Sequence, residues 1–231
     1  IDQKLNDQLP LDLNFRDEKG EVVELRNFFH TKPVVISLVY YKCPMLCTQV
    51  LNGMVETFRT MKMTAGNEFE IVTVSIDHNE TPEMAAEKKE TYVTEYGRNG
   101  VSEGWHYLVG DSVSIKKLAD AVGFKFVYDT PTKQFAHASG IMVATPKGKI
   151  ARYLYGIEYG AKDLNFSLME AAQEKIGSVV DKILLLCYHY DPTTGKYGMV
   201  VANLLRAGGA LTVLFIGAYV FFNVRREKKR K

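Results

Sequence analysis

VVISLVYYKCPMLC, residues 34–47, changes character halfway along. Val34–Tyr40 is a continuous β-branched apolar run, as expected of a strand buried on both faces. It gives way to Cys43-Pro-Met-Leu-Cys47, after which Leu51, Met54, Val55, Phe58 and Met61 recur at helical spacing, predicting a helix to about Met63. Pro44 suits the opening position of that helix. The same alternation continues downstream. Glu70–Asp77 reads as a second buried strand, and Thr81 with Pro82 reads as the cap and first residue of a helix to about Tyr96. Trp105–Val109 predicts a third strand, and Asp111 or Ser112 can cap a helix through Val122. Ile141–Ala144 and Ile150–Tyr155 flank the turn Thr145-Pro-Lys-Gly148, and a last helix is expected from near Asn165 to about Tyr188. Upstream, Asp17-Glu-Lys-Gly20 sits between short extended segments and predicts a β-hairpin over Asp12–Phe28.

This order predicts an α/β, thioredoxin-like domain over residues 1–185: a central mixed sheet flanked by helices, with an N-terminal β-hairpin. Parallel strands joined by right-handed crossovers put their carboxyl ends on one edge, and Cys43 lies at such an end.

The charge is unevenly spread. The chain has 29 basic and 27 acidic residues, but from Arg206 onward seven basic residues stand against Glu227 alone. The remaining 22 basic and 26 acidic residues leave residues 1–205 at about −4, which argues against nucleic acid as a partner, because phosphate binding needs a basic face. Residues 207–224 carry no charge and would span roughly 27 Å as a helix, against the ~30 Å of a bilayer core. Met199–Leu205 extends the apolar run, so a C-terminal transmembrane helix is expected over 199–224, with 186–198 as a juxtamembrane linker. Arg225–Lys231 (RREKKRK) then forms a basic tail that the positive-inside rule places in the cytoplasm. The predicted setting is a bacterial inner membrane, with the N-terminal domain in the periplasm. The opening Ile1, in place of Met, leads to the expectation of a processed or truncated chain.

Chemistry concentrates at the cysteines. If Pro44 opens the helix, Cys43 and Cys47 lie one turn apart near its N-terminus, where free N–H groups favour the thiolate. Two thiolates are soft ligands suited to Cu(I), and an added imidazole suits copper in either oxidation state. A C-x3-C pair alone also fits a redox couple or two structural cysteines. His137, in Phe135-Ala-His-Ala-Ser-Gly140, is predicted in a proline-free loop facing the cysteine helix. Three cysteines cannot all pair, and Cys187 with His189 near the expected span suggests a second metal site or a thiol contact.

With these residues in view, Leu38–Cys47 resembles the cysteine motif of the Sco/SenC family, copper chaperones for assembly of cytochrome c oxidase. Asp77-His-Asn-Glu-Thr-Pro82 is similar to that family's Asp-Pro-x-x-Asp-Thr-Pro stretch, and Trp105–Asp111 resembles its Leu-Thr-Gly-Asp strand end. The resemblance covers about residues 8–175. It implies one copper ion held by Cys43, Cys47 and His137, and a role either in delivering copper to the binuclear copper centre of oxidase subunit II or in keeping that centre's cysteines reduced. It also allows Asp111 a role in orienting a ligand, beside its alternative as a helix cap. Met45 replaces an acidic residue usual in the family, as an apolar contact or a further soft ligand. His78, in place of the motif's Pro, reads as a loop residue. The C-terminal anchor departs from the family's N-terminal one. A thiol–disulfide oxidoreductase acting on cuproproteins and a stable accessory subunit of a respiratory complex are the competing readings.

Overall fold

The computed structural model describes residues 1–43 and 46–176, and beyond these 190–191, 196–197, 206, 209–210, 212, 214–217, 219 and 225. Residues 1–176 form one unit and 177–231 another.

The buried run of residues 34–47 becomes the central strand of a five-stranded sheet. This strand, β3 (Val34–Val39), is buried at every position, because it has a neighbour on each side and helices over the sheet. It pairs in parallel with β4 (Glu70–Ser75), from Val34↔Glu70 to Val39↔Ser75, and antiparallel with β8 (Gly140–Ala144). Beyond β4 lies β5 (Trp105–Leu108), and beyond β8 lies β9 (Ile150–Tyr155), giving the order β5-β4-β3-β8-β9. The N-terminal hairpin, β1 (Asn14–Arg16) with β2 (Val22–Glu24), turns at Asp17–Gly20, where the Asp17 carboxylate accepts from the Lys19 and Glu21 amides. Leu25–Phe28 then winds into a short 3-10 turn.

Helix α1 (Leu46–Thr60) follows β3 and packs against both α2 (Pro82–Tyr96) and α5 (Ala161–Ala172). Between α2 and β5 runs the single turn α3 (Val101–Gly104), and α4 (Ser112–Ala121) follows β5. The apolar stripe of α1 closes on aromatic rings, with Phe58 stacking on Tyr96 at 5.7 Å and meeting Trp105 edge-on at 6.0 Å. One buried polar thread crosses the sheet: Thr73 Oγ1 accepts from Trp105 Nε1 at 2.9 Å and lies 2.8 Å from Ser37 Oγ. Pairing these groups removes the desolvation penalty each would otherwise carry.

Three expectations are corrected. The last helix begins at Ala161 and ends at Ala172, and Glu174, in the left-handed region at φ 56°, breaks the run that sequence extended to Tyr188. Residues 177–189, including Cys187 and His189, lie outside the described residues. The second correction is an unforeseen hairpin, β6 (Phe126–Asp129) with β7 (Gln134–His137), which forms a two-stranded sheet of its own. His137 is therefore the last residue of a strand rather than part of a loop, and it pairs with Phe126. Third, Thr81 occupies the cap position of α2 with extended backbone, but its side chain makes no cap bond.

Among the described residues no helix is long and apolar enough to cross a membrane. Most of the expected span 199–224 lies outside the described residues. Those described within it are helical, and Leu214, Phe215, Ile216 and Tyr219 expose 59–79% of their surface. The second unit also contains a two-residue antiparallel pair, β10 (Tyr190–Asp191) with β11 (Lys196–Tyr197).

Candidate functional site

The carboxyl end of β3 delivers Tyr40-Tyr41-Lys42-Cys43 to the sheet edge, and the loop is held there by a buried acid. Glu80, 5% exposed, accepts from the Tyr41 amide and the Lys42 amide at 2.7 Å each. Its second bond to Oε2 comes from Ser75 Oγ at 2.6 Å. A carboxylate fixed by three donors acts as a rigid clamp between the β4–α2 loop and the approach to Cys43. In the sequence Glu80 stands out only as a member of the stretch Asp77-His-Asn-Glu-Thr-Pro82. Its spacing before Thr-Pro was the available signal, but the partner amides, nearly forty residues upstream, were not legible.

Cys43 and Cys47 are both buried thiols at the start of α1. The Cys47 amide donates to Cys43 Sγ at 3.2 Å, so the first sulfur takes one of the unpaired N–H groups of the helix start. Thr48 Oγ1 donates to the Cys43 carbonyl, and Tyr40 hydrogen-bonds Cys43. Cys47 Sγ accepts from the Tyr40 amide at 3.4 Å. The expectation that helix position alone would favour the thiolate fails for Cys47. Burial pushes its thiol well up, outweighing the Tyr40 amide bond that pulls it down. Burial likewise pushes the Tyr40 phenol up, reinforced by its bond to Cys43.

His137 reaches the same point from the end of β7. Its Nε2 lies 3.1 Å from Cys47 Sγ, and its Nδ1 lies 2.8 Å from the Ala138 carbonyl. A carbonyl only accepts, so Nδ1 carries the proton and Nε2 turns its lone pair toward Cys47. The ring is held between Phe124 at 5.7 Å and Tyr40, which meets it edge-on at 6.1 Å. The structure thus brings Cys43, Cys47 and His137 to one edge. Among the described residues, however, no group of three or more His, Cys, Asp or Glu side chains is arranged to hold a metal ion as it stands.

The other candidates fall elsewhere. Asp111 is a helix cap: its carboxylate accepts from the Val113 amide at 2.8 Å, the Ser114 amide at 3.0 Å and Ser114 Oγ. Those bonds hold its carboxyl below the usual range and commit it to the start of its own helix. Met45 lies outside the described residues, as do Cys187 and His189. His78 belongs to the β4–α2 loop and lines a groove beside the site.

Comparison with known proteins places this geometry. No protein of curated function matches the sequence. Solved structures do share the fold. A protein of Aquifex aeolicus VF5, to which an electron-transfer role is ascribed, is 24% identical at a TM-score of 0.65, over 74% of this chain and 96% of its own. ScoI of Arabidopsis thaliana, solved with copper bound, is 16% identical at 0.55, over 70% and 96%. BsSco, described as having a disulfide switch within a family of cytochrome c oxidase assembly proteins, is 18% identical at 0.58, over 75% and 99%. At these identities the likeness is one of fold. The sequence itself matches the SCO1/SenC family model from residue 2 to residue 173, the stretch that carries both cysteines, Glu80 and His137, and on that match the chain belongs to the SCO1/SenC family.

Proposed function

We propose that the chain binds one copper ion through Cys43, Cys47 and His137 and serves as a copper chaperone in the assembly of a membrane-bound cytochrome c oxidase. The observation that carries this reading is the 3.1 Å approach of His137 Nε2, lone pair forward, to Cys47 Sγ at the start of α1. Two sulfurs and one imidazole nitrogen form a soft donor set that fits copper in either oxidation state. The copper held by the Arabidopsis relative supports the reading, as does the assembly family named for BsSco. In this chain the residues have separable tasks. Glu80 fixes the loop that presents Cys43, the Ala138 carbonyl fixes the His137 tautomer, and Cys47 surrenders its thiol proton when it becomes a ligand. The cargo leaves by ligand exchange onto the recipient's own thiolates, the binuclear copper centre of subunit II being the proposed destination.

The proposed setting is a membrane-tethered domain on the periplasmic side of a bacterial inner membrane. Support comes from the uncharged run 207–224, its following basic tail, and the apolar helical side chains exposed within it. Anaerobic titration with Cu(I) tests the reading. One equivalent should bind tightly, with affinity reduced at least about 100-fold in Cys47→Ser and about 10-fold or more in His137→Ala. Absence of copper binding, with turnover of a disulfide substrate instead, would overturn it in favour of a thiol–disulfide oxidoreductase.

A further inference from the structure

Beside the cysteine loop runs a groove of about 830 Å³ that the metal chemistry leaves unused. Its walls are the β4–α2 loop, the first turn of α4, and the β6–β7 hairpin. The floor is apolar: Ile76 and Ile115 are buried, and Phe126 and Phe135 are partly so. The rim is cationic. Lys42 and Lys133 are exposed, and neither has a carboxylate partner among the described residues. The groove's third lysine, Lys116, already pairs with Asp120 at 2.8 Å. The carboxylate in this lining, Asp77, keeps its charge but is held by Asn79 N and Nδ2 and forms no ion pair with either lysine. An apolar trough therefore carries three lysines against one lining carboxylate, on a body that is net negative over residues 1–205.

The groove also connects to the site. Phe135 meets Tyr40 edge-on at 5.4 Å, and Tyr40 bonds Cys43. On the outer side Tyr128, half exposed, packs against Phe135 at 5.1 Å. Anything seated in the trough presses on the side chains that position the first cysteine.

We propose that this groove seats an extended acidic segment of a partner protein, with Asp or Glu on the rim lysines and one aromatic or aliphatic side chain on the Ile76–Ile115 floor. The occupant must be narrow, because the apolar floor is recessed between three walls, and a flat anionic membrane surface would touch only their crests. Two free cations are too few for a nucleic-acid backbone, which takes several phosphate contacts. Opposite charge at the rim steers encounter, while the recessed floor supplies burial. The proposal rests on the reading of the site as one that exchanges cargo with a partner.

The test uses the full chain in detergent, metal-free and copper-loaded, titrated with a fluorescent Asp-Glu-Phe-Asp-Glu peptide and its Lys-Arg-Phe-Lys-Arg counterpart. The acidic peptide alone should bind. Lys42→Glu combined with Lys133→Glu should weaken it about tenfold or more, while Lys162→Glu on α5 changes nothing. Circular dichroism checks that each variant is folded. Binding that ignores the rim reversals, or that is displaced by phosphatidylserine mixed into the detergent micelles as effectively as by unlabelled peptide, overturns the proposal. Peptide binding without any copper binding would leave the groove standing and bring down the copper reading, and copper binding without peptide binding would do the reverse.

Discussion

Glu80 shows how a single side chain can hold a site it never touches. Its carboxylate takes both the Tyr41 and Lys42 amides, and a glutamine there would turn an NH₂ group toward at least one of these donors. Glu80→Gln should cost about 2 kcal/mol, read as a lowered urea midpoint, and weaken copper binding about tenfold because Cys43 loses its fixed approach. Asp111 predicts the opposite pattern. As the cap of α4 its replacement by Ala should cost about 1 kcal/mol in the same unfolding assay, with copper affinity unchanged. An affinity loss in Asp111→Ala would return it to the metal site. That Cys43, Cys47 and His137 come to one edge was legible from residue type and element order, although His137 ends a strand rather than lying in the expected loop. Glu80's role was not legible, because its partners are backbone amides whose position depends on the parallel pairing of β3 with β4. The ionisation of Cys47 was misread for a related reason: the sequence shows a helix N-terminus but not how deeply that terminus is buried.

Between elements, one ion pair ties the N-terminal hairpin to the helical layer. Lys89 Nζ on α2 meets Glu18 Oε1 in the β1–β2 turn, with both side chains nearly buried at 13% and 11% exposure. Burial pushes the Glu18 carboxyl up, but the Lys89 bond and backbone amides more than offset it, so its value falls below the ordinary 4.5. A depressed carboxyl contributes stability above its unfolded value and loses it as pH falls through its folded value. Lys89→Met, which strands the charge on Glu18, should therefore cost about 3 kcal/mol at pH 7. The gap from wild type should narrow only as pH falls through the lowered folded value of Glu18, below the ordinary 4.5, as guanidinium unfolding across pH would show. Element order was the most legible level of the fold, since continuous apolar runs marked β3 and β4 and helical spacing marked α1. The β6–β7 hairpin escaped because Phe126–Asp129 and Gln134–His137 are short, half-exposed and paired only with each other. No hydrophobic contrast separates such strands from a loop.

At the scale of the molecule, the family match and the first structural unit end within a few residues of each other, at 173 and 176. A chain ending at Ile176 should fold cooperatively and keep its copper affinity. It should also lose the partitioning into phospholipid vesicles expected of the full chain, measured by flotation. Partitioning of the shortened chain would place the membrane contact on the domain itself. The two-stranded arm that carries His137 has a further consequence for the whole. It shares no ladder hydrogen bonds with the five-stranded sheet, whereas Cys47 sits in the first turn of α1 and Cys43 on the loop leading into it, both packed into the core. Local opening is cheapest where few bonds must break, so backbone amides of 126–137 should take up deuterium well before those of Val34–Val39. On the proposed copper reading, the donors are divided between a pair fixed in the core and a histidine on an arm tied by few bonds, so the loaded state should last about as long as that arm stays closed.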